Sequence, residues 1–156
     1  MLLIHQKKRP AIPIIKEIIK NFRNEEIVVM ARYTSQGRHL EQIFGKKIRV
    51  LNKVVDSKIL LENTHIFVGS GGTMTAESAL LGIPTISYNA VPNIIEGYLV
   101  KKKLVIRETN PKKIAISIRK ILGSSNLEIK KKSKKILDSM EDPYPVLVKT
   151  MKSVLK

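Results

Sequence analysis

Six short apolar runs alternate with segments of helical spacing, and this alternation constrains the chain more than any other feature. The runs Met1–His5, Glu26–Ala31, Ile48–Leu51, Ile66–Gly69, Ile83–Tyr88 and Leu104–Arg107 are short and rich in β-branched residues, which predicts strands. Ile12, Ile15, Ile18, Ile19 and Phe22 recur at the spacing of one helix face. Further helices are predicted over Gln36–Phe44, Ser57–Asn63, Met74–Leu81 and Ile94–Val100, and Asn110-Pro111 opens another with a capping residue followed by proline. Strands separated by helices pair in parallel, so the expected fold is α/β, with a parallel six-stranded sheet and helices on both faces. The end of the chain breaks the pattern. Residues 125–156 read as two consecutive helices with no strand, the second opening at Asp142-Pro143 with an apolar stripe from Val146 to Leu155. The expected division is a sheet domain over 1–122 and C-terminal helices over 123–156, packing on that domain or on a partner.

The glycine pair stands where such a sheet does its chemistry. In open α/β sheets ligands bind beyond the carboxyl ends of the strands. Ser70-Gly71-Gly72-Thr73 follows the fourth predicted strand and opens a helix. Glycines let an anion approach the backbone, a helix N-terminus supplies unpaired N–H groups, and Ser70 and Thr73 add hydroxyls. A tight strand-to-helix turn would also need glycine, so the loop by itself leaves two readings. It matches neither common nucleotide motif: no Gly-Lys-Ser/Thr is present, and a Gly-x-Gly-x-x-Gly read from Gly69 meets Met74 at its last position. Glu77 comes one residue too late for a capping box counted from Thr73, and its side chain leans back toward the loop. A carboxylate beside an anion site suits a ribose diol; alternatively it is simply favoured by the helix dipole.

Charge is uneven. The net charge of +16 divides into +8 over residues 1–55, −3 over 56–99, +7 over 100–123 and +4 over 124–156. A basic surface attracts phosphates, nucleic acid or anionic headgroups, or is merely solvated. With four Tyr, three Phe and no Trp, no stacking platform for bases is evident, which argues against nucleic acid. Cysteine is absent, which removes disulfides and thiolate metal sites and fits a cytoplasmic setting. No secretory signal is visible, and no apolar run reaches the ~18 residues of a membrane span. His5, His39 and His65 do not cluster and read as structural groups. Arg32 either points into the cleft or is solvated. No set with metal-ligand spacing is found, so no metal is expected, and the catalytic groups are not assigned.

The segment Ser70-Gly71-Gly72-Thr73-Met74-Thr75-Ala76-Glu77-Ser78-Ala79-Leu80-Leu81-Gly82-Ile83-Pro84 resembles the nucleotide-binding segment of GT-B glycosyltransferases and of UDP-N-acetylglucosamine 2-epimerases. It is most similar to the DUF354 family of GT-B-like proteins, and Val50–Asp56 and Leu60-Leu61 match that family too. The resemblance covers roughly residues 1–122. It implies a Rossmann-like domain in which Ser70, Gly71, Gly72 and Thr73 hold the diphosphate of UDP or a UDP-sugar and Glu77 binds the ribose. It further implies that the loop of Val54 and Val55 faces the base and that Arg9 lies near the phosphates. In GT-B enzymes a second, N-terminal domain supplies the acceptor site and usually the base. The chain therefore corresponds to a donor half, active only with a second domain or subunit, whether it is a natural split subunit, the product of a truncated gene or an excised piece. Its last helix is expected to pack on an N-terminal-half partner or on a second copy, and peripheral contact with an anionic membrane is open to it. A non-catalytic nucleotide-binding module, half of a UDP-sugar epimerase and a basic nucleic-acid-binding protein are the alternatives.

Overall fold

The computed structural model describes residues 1–6, 11–52, 55–89, 91 and 93–154. Six parallel strands are present: β1 (Leu2–Gln6), β2 (Ile27–Ala31), β3 (Arg49–Leu51), β4 (Ile66–Gly69), β5 (Thr85–Ser87) and β6 (Val105–Arg107). Their spatial order is β3-β2-β1-β4-β5-β6. Each expected strand is found. The sheet grows outward from β1 in one direction and, after β3, resumes on the other side of β1 with β4. Leu2, Leu3 and Ile4 are therefore paired on both edges, to Ile27, Val28 and Val29 and to Ile66, Phe67 and Val68.

Alternate side chains of these strands feed opposite layers. Leu2, Ile4, Ile66, Val68 and Ile86 pack under the first layer, formed by α1 (Ala11–Asn21), α2 (Thr34–Phe44) and α6 (Pro111–Leu122). Leu3, Val28 and Phe67 face the other way, with Leu61 of α3 (Ser57–Glu62) and Met74 of α4 (Thr73–Leu80). Burial on both faces explains why the strands read as unbroken apolar runs. Ile15 and Ile18 of α1 and Ile114 and Ile118 of α6 are fully buried, each contributing about 1.5–3 kcal/mol. A further cluster joins Ala79 of α4, Leu99 of α5 (Ile94–Lys101) and Val105 of β6 to Ile136 of α7 (Leu127–Asp138).

The cap chemistry of the sequence is realised at α3 and α6. Asp56 accepts hydrogen bonds from the Lys58 and Ile59 amides, and Asn110 from those of Lys112 and Lys113, before Pro111 at the first turn. The C-terminal helices divide. Helix α7 is seated on the sheet domain through Ser133 and Ile136. Helix α8 (Pro143–Val154) buries no residue, and Leu147, Met151 and Val154 are exposed.

Gly82, at the turn between α4 and β5, shows how α7 is seated. Its φ is +74°, and a Cβ there would lie 2.9 Å from the Lys130 Cα of α7. Gly82→Ala should destabilise the chain by about 2 kcal/mol, the sum of left-handed strain and displacement of α7. Gly97 sits inside α5 with open space where its Cβ would be, so Gly97→Ala should stabilise by about 1 kcal/mol. Urea unfolding of the two variants should give shifts of opposite sign.

Candidate functional site at the strand switch point

A sheet that reverses direction between β1 and β4 opens a crevice above the carboxyl ends of those two strands, because the loops leaving them turn to opposite faces. The loop leaving β4 is Ser70-Gly71-Gly72. Gly71 and Gly72 have φ of +82° and +94°, a conformation that side-chain-bearing residues rarely adopt.

The loop delivers an open helix end. Gly72 is the N-cap residue of α4 and offers no side chain, so no side-chain cap is made. The cap therefore falls one residue earlier than a count from Thr73 expects, and Glu77 is even further from a capping-box position. The first intrahelical bond runs from the Ala76 amide to the Gly72 carbonyl. The amides before it point past the helix end, toward the mouth of the crevice. Helices α3, α5 and α6, by contrast, are each closed by an Asp or Asn side chain.

Three buried polar atoms around this loop have no hydrogen-bond partner: Ser70 Oγ, Thr75 Oγ1 and Glu96 Oε1. Buried polar groups are nearly always paired in folded proteins, and these three have no partner among the described residues. Glu96 is 2% exposed and belongs to α5. Its amide donates to Asn93 Oδ1, the cap of that helix, and its Oε2 accepts from Asn89 Nδ2 at 3.1 Å. A Cβ on residue 71 would stand 2.8 Å from Glu96 Oε2 and 2.9 Å from Asn89 Nδ2. Glycine is thus favoured at 71 by φ, and any side chain there would displace the Glu96 carboxylate or the Asn89 amide. Sequence reasoning missed Asn89 and Glu96. The one available signal was the spacing Asn93-x-x-Glu96, that of a capping box. In the folded chain this carboxylate turns away from its own helix end and lies against the glycine loop.

Tyr88 forms the floor. Its amide donates to the Gly69 carbonyl, and its hydroxyl donates to the His5 carbonyl at 2.8 Å. Beside the crevice, above the ends of β2 and β3, lies a hollow of about 310 Å³ lined by Arg32, Tyr33, Asn52 and Val55 among others. The Arg32 guanidinium stands over the Tyr33 ring at 5.5 Å, so this arginine belongs to the cleft rim.

The structure brings Ser70, Gly71, Gly72, Thr73 and Glu77 together on one loop and the first turns of one helix. Glu77 is half-buried, and its carboxylate makes no hydrogen bond or ion pair among the described residues. Val55 lines the neighbouring hollow. Arg9 and Val54 lie outside the described residues. No group of three His, Asp or Glu side chains that could hold a metal occurs among the described residues. Asp56 serves as a helix cap.

The sheet order and the glycine loop at its switch point define a Rossmann-like domain of the kind found in GT-B glycosyltransferases and UDP-N-acetylglucosamine 2-epimerases. The UDP-GlcNAc 2-epimerase of Neisseria meningitidis, solved with UDP-GlcNAc, superposes with a TM-score of 0.68 over 97% of this chain and 43% of its own, at 14% identity. The glycosyltransferase SnogD of Streptomyces nogalater superposes with a TM-score of 0.62 over 97% of this chain and 42% of its own, at 15% identity. The chain belongs to the DUF354 family (protein of unknown function), whose model matches residues 5–156. It is 32% identical over 115 residues to the uncharacterised protein MJ0665 of Methanocaldococcus jannaschii, covering 70% of this chain and 33% of that protein. The chain thus spans about a third of that relative and about two fifths of the solved structures.

Gly71→Ala adds a steric clash to the same kind of backbone strain that Gly72→Ala creates in open space. Both should destabilise by about 1–3 kcal/mol, with Gly71→Ala the larger. Equal shifts in their urea midpoints would remove Glu96 and Asn89 as the fixed wall of the loop.

Proposed function

We propose that this chain is the donor-binding half of a GT-B-like glycosyltransferase, that its ligand is a nucleotide sugar carried on UDP, and that it acts only with a second domain or subunit. The observation that carries this reading is the uncapped N-terminus of α4, delivered by two left-handed glycines to the switch point and ringed by unpartnered buried polar atoms. A diphosphate is the natural ligand for amides that no side chain satisfies, since it answers both their hydrogen-bonding need and the positive end of the helix. Glu77, without a partner and just inside that helix, suits a ribose diol. The hollow beside Val55 suits a base, with Arg32 and Tyr33 on its rim. The two ligands in view, UDP and a UDP-sugar, differ only beyond the second phosphate, so both would use this arrangement. The amides that hold the diphosphate would also stabilise its developing charge as it leaves the sugar.

One observation supports the need for a partner: α8 leaves Leu147, Met151 and Val154 exposed along one stripe. An N-terminal half would cover that stripe and bring the acceptor and the base; self-association would cover it without adding them. The same donor half would serve epimerisation equally well, because the groups that decide the reaction lie in the other half. Incubating the completed enzyme with UDP-N-acetylglucosamine and a hydroxyl acceptor separates the two, since transfer moves the sugar to the acceptor and releases UDP, whereas epimerisation inverts one sugar carbon and leaves the sugar on UDP.

Calorimetric titration with UDP should show saturable binding to the isolated chain, stronger than to ADP. Glu77→Ala should weaken it by about 10- to 100-fold, the worth of a hydrogen bond to a charged group. Absence of saturable UDP binding overturns the proposal, and unchanged affinity in the variant removes Glu77 from the site. Light scattering should show self-association at high concentration, or a defined complex once the N-terminal half is added, and Leu147→Glu/Met151→Glu should abolish either. A monomer that ignores the added half would remove α8 from any interface.

A further inference from the structure

A broad hollow lies away from the glycine loop, at the opposite end of the sheet. It is a groove of about 880 Å³ between the C-terminal half of α1, the end of α2 and the starts of β2 and β3. Parallel strands place their amino ends there, so it shares no residue with the nucleotide crevice. Six cations line it: Lys16, Lys20, Arg23, Lys46, Lys47 and Arg49. Only Glu25 and Glu26 oppose them, and Glu26 is engaged with Arg49 at 3.3 Å. Lys20, in the last turn of α1, also complements that helix dipole. Dipole compensation does not account for Lys16 inside the helix, Arg23 beyond its end, or Arg49 on a strand.

Between the cations the lining is apolar: Phe22, Ile27, Phe44 and Ile48 form a floor, with Ile19 and Ile43 above it. Ile43 is 41% exposed. A second basic cluster gives the contrast. On α7, Lys131, Lys134 and Lys135 line a shallow notch with Asp138 and Ser139 and no apolar residue.

A cationic rim with the part-exposed Ile19 and Ile43 set among it suits an anionic amphiphile. We propose that this groove seats the chain on the surface of an anionic lipid bilayer, the rim meeting headgroup phosphates and Ile19 and Ile43 reaching the glycerol level. Nucleic acid fits less well. Phe22 and Phe44 are only 7% and 8% exposed and present no ring for a base to stack on. The opposed positions of groove and crevice leave the nucleotide site free while the groove is occupied.

The test is co-flotation of the full chain with vesicles of phosphatidylcholine alone, or containing about a third phosphatidylglycerol, at about 0.1 M salt. The chain should float with the anionic vesicles and not with the neutral ones. The triple variant Lys16→Glu/Lys20→Glu/Lys46→Glu should lower partitioning by at least about tenfold. The triple variant Lys131→Glu/Lys134→Glu/Lys135→Glu changes net charge equally and should leave partitioning within about twofold, since screened charges act locally. Both variants should still unfold cooperatively and be folded at the assay temperature, so that neither loss is a loss of fold. No flotation, equal flotation with both vesicle types, or equal losses in the two variants overturns the proposal. So does an RNA gel shift that depends on the same three lysines in a chain that ignores vesicles.

Discussion

Every feature of the candidate site depends on the placement of β4 beside β1 instead of beside β3. Parallel strands must be joined by crossovers of one hand, so a sheet that grows only one way carries all its connecting helices on one face. By returning to β1, the chain covers the second face and buries both sides of its central strands. Leu3 and Phe67 are fully buried for that reason, as are Leu2 and Ile4 on the other side. The same reversal sends the loops after β1 and β4 apart. The crevice is a by-product of the arrangement that gives the sheet two protected faces.

What was legible in the sequence was local. The strands could be read because burial on both faces leaves continuous apolar runs, and Asn110 because a helix cap is decided within three residues. The glycine loop was legible as a strand-to-helix junction with hydroxyls on either side. What escaped was set by contacts between distant segments. Glu96 lies 25 positions after Gly71 and meets it only because α5 and α4 lie side by side. The cap at Gly72 instead of Thr73 depends on how that loop rests against Asn89 and Glu96. The basic groove is assembled from two separate stretches, 16–27 and 43–49, and charge counted along the chain could mark residues 1–55 as positive without showing that six of those cations share one hollow.

The two C-terminal helices show how similar patterns come to different ends. Both carry lysine and apolar residues in alternation. Helix α7 finds a seat because Gly82 has no side chain to hold it away, and Ile136 completes the cluster of Ala79 and Leu99. Helix α8 follows after Met140 and finds no such seat among the described residues. Its stripe is as apolar as that of a helix whose partner is present, which is why length and composition alone did not separate the two.

The hydrogen bond from the Tyr88 hydroxyl to the His5 carbonyl passes over the end of β4 and ties the tip of β5 to the tip of β1. Two strands that flank the crevice on either side of β4 are thereby braced against each other at the level where a ligand would rest. The brace adds about 1 kcal/mol to the ladder bonds that already hold these strands together, so splaying them is the costlier way to admit or release a ligand. Movement of the loops at the rim, or of another body as a whole, is the cheaper one. The domain then acts as an anvil: it contributes fixed geometry, and whatever closes on it contributes the movement.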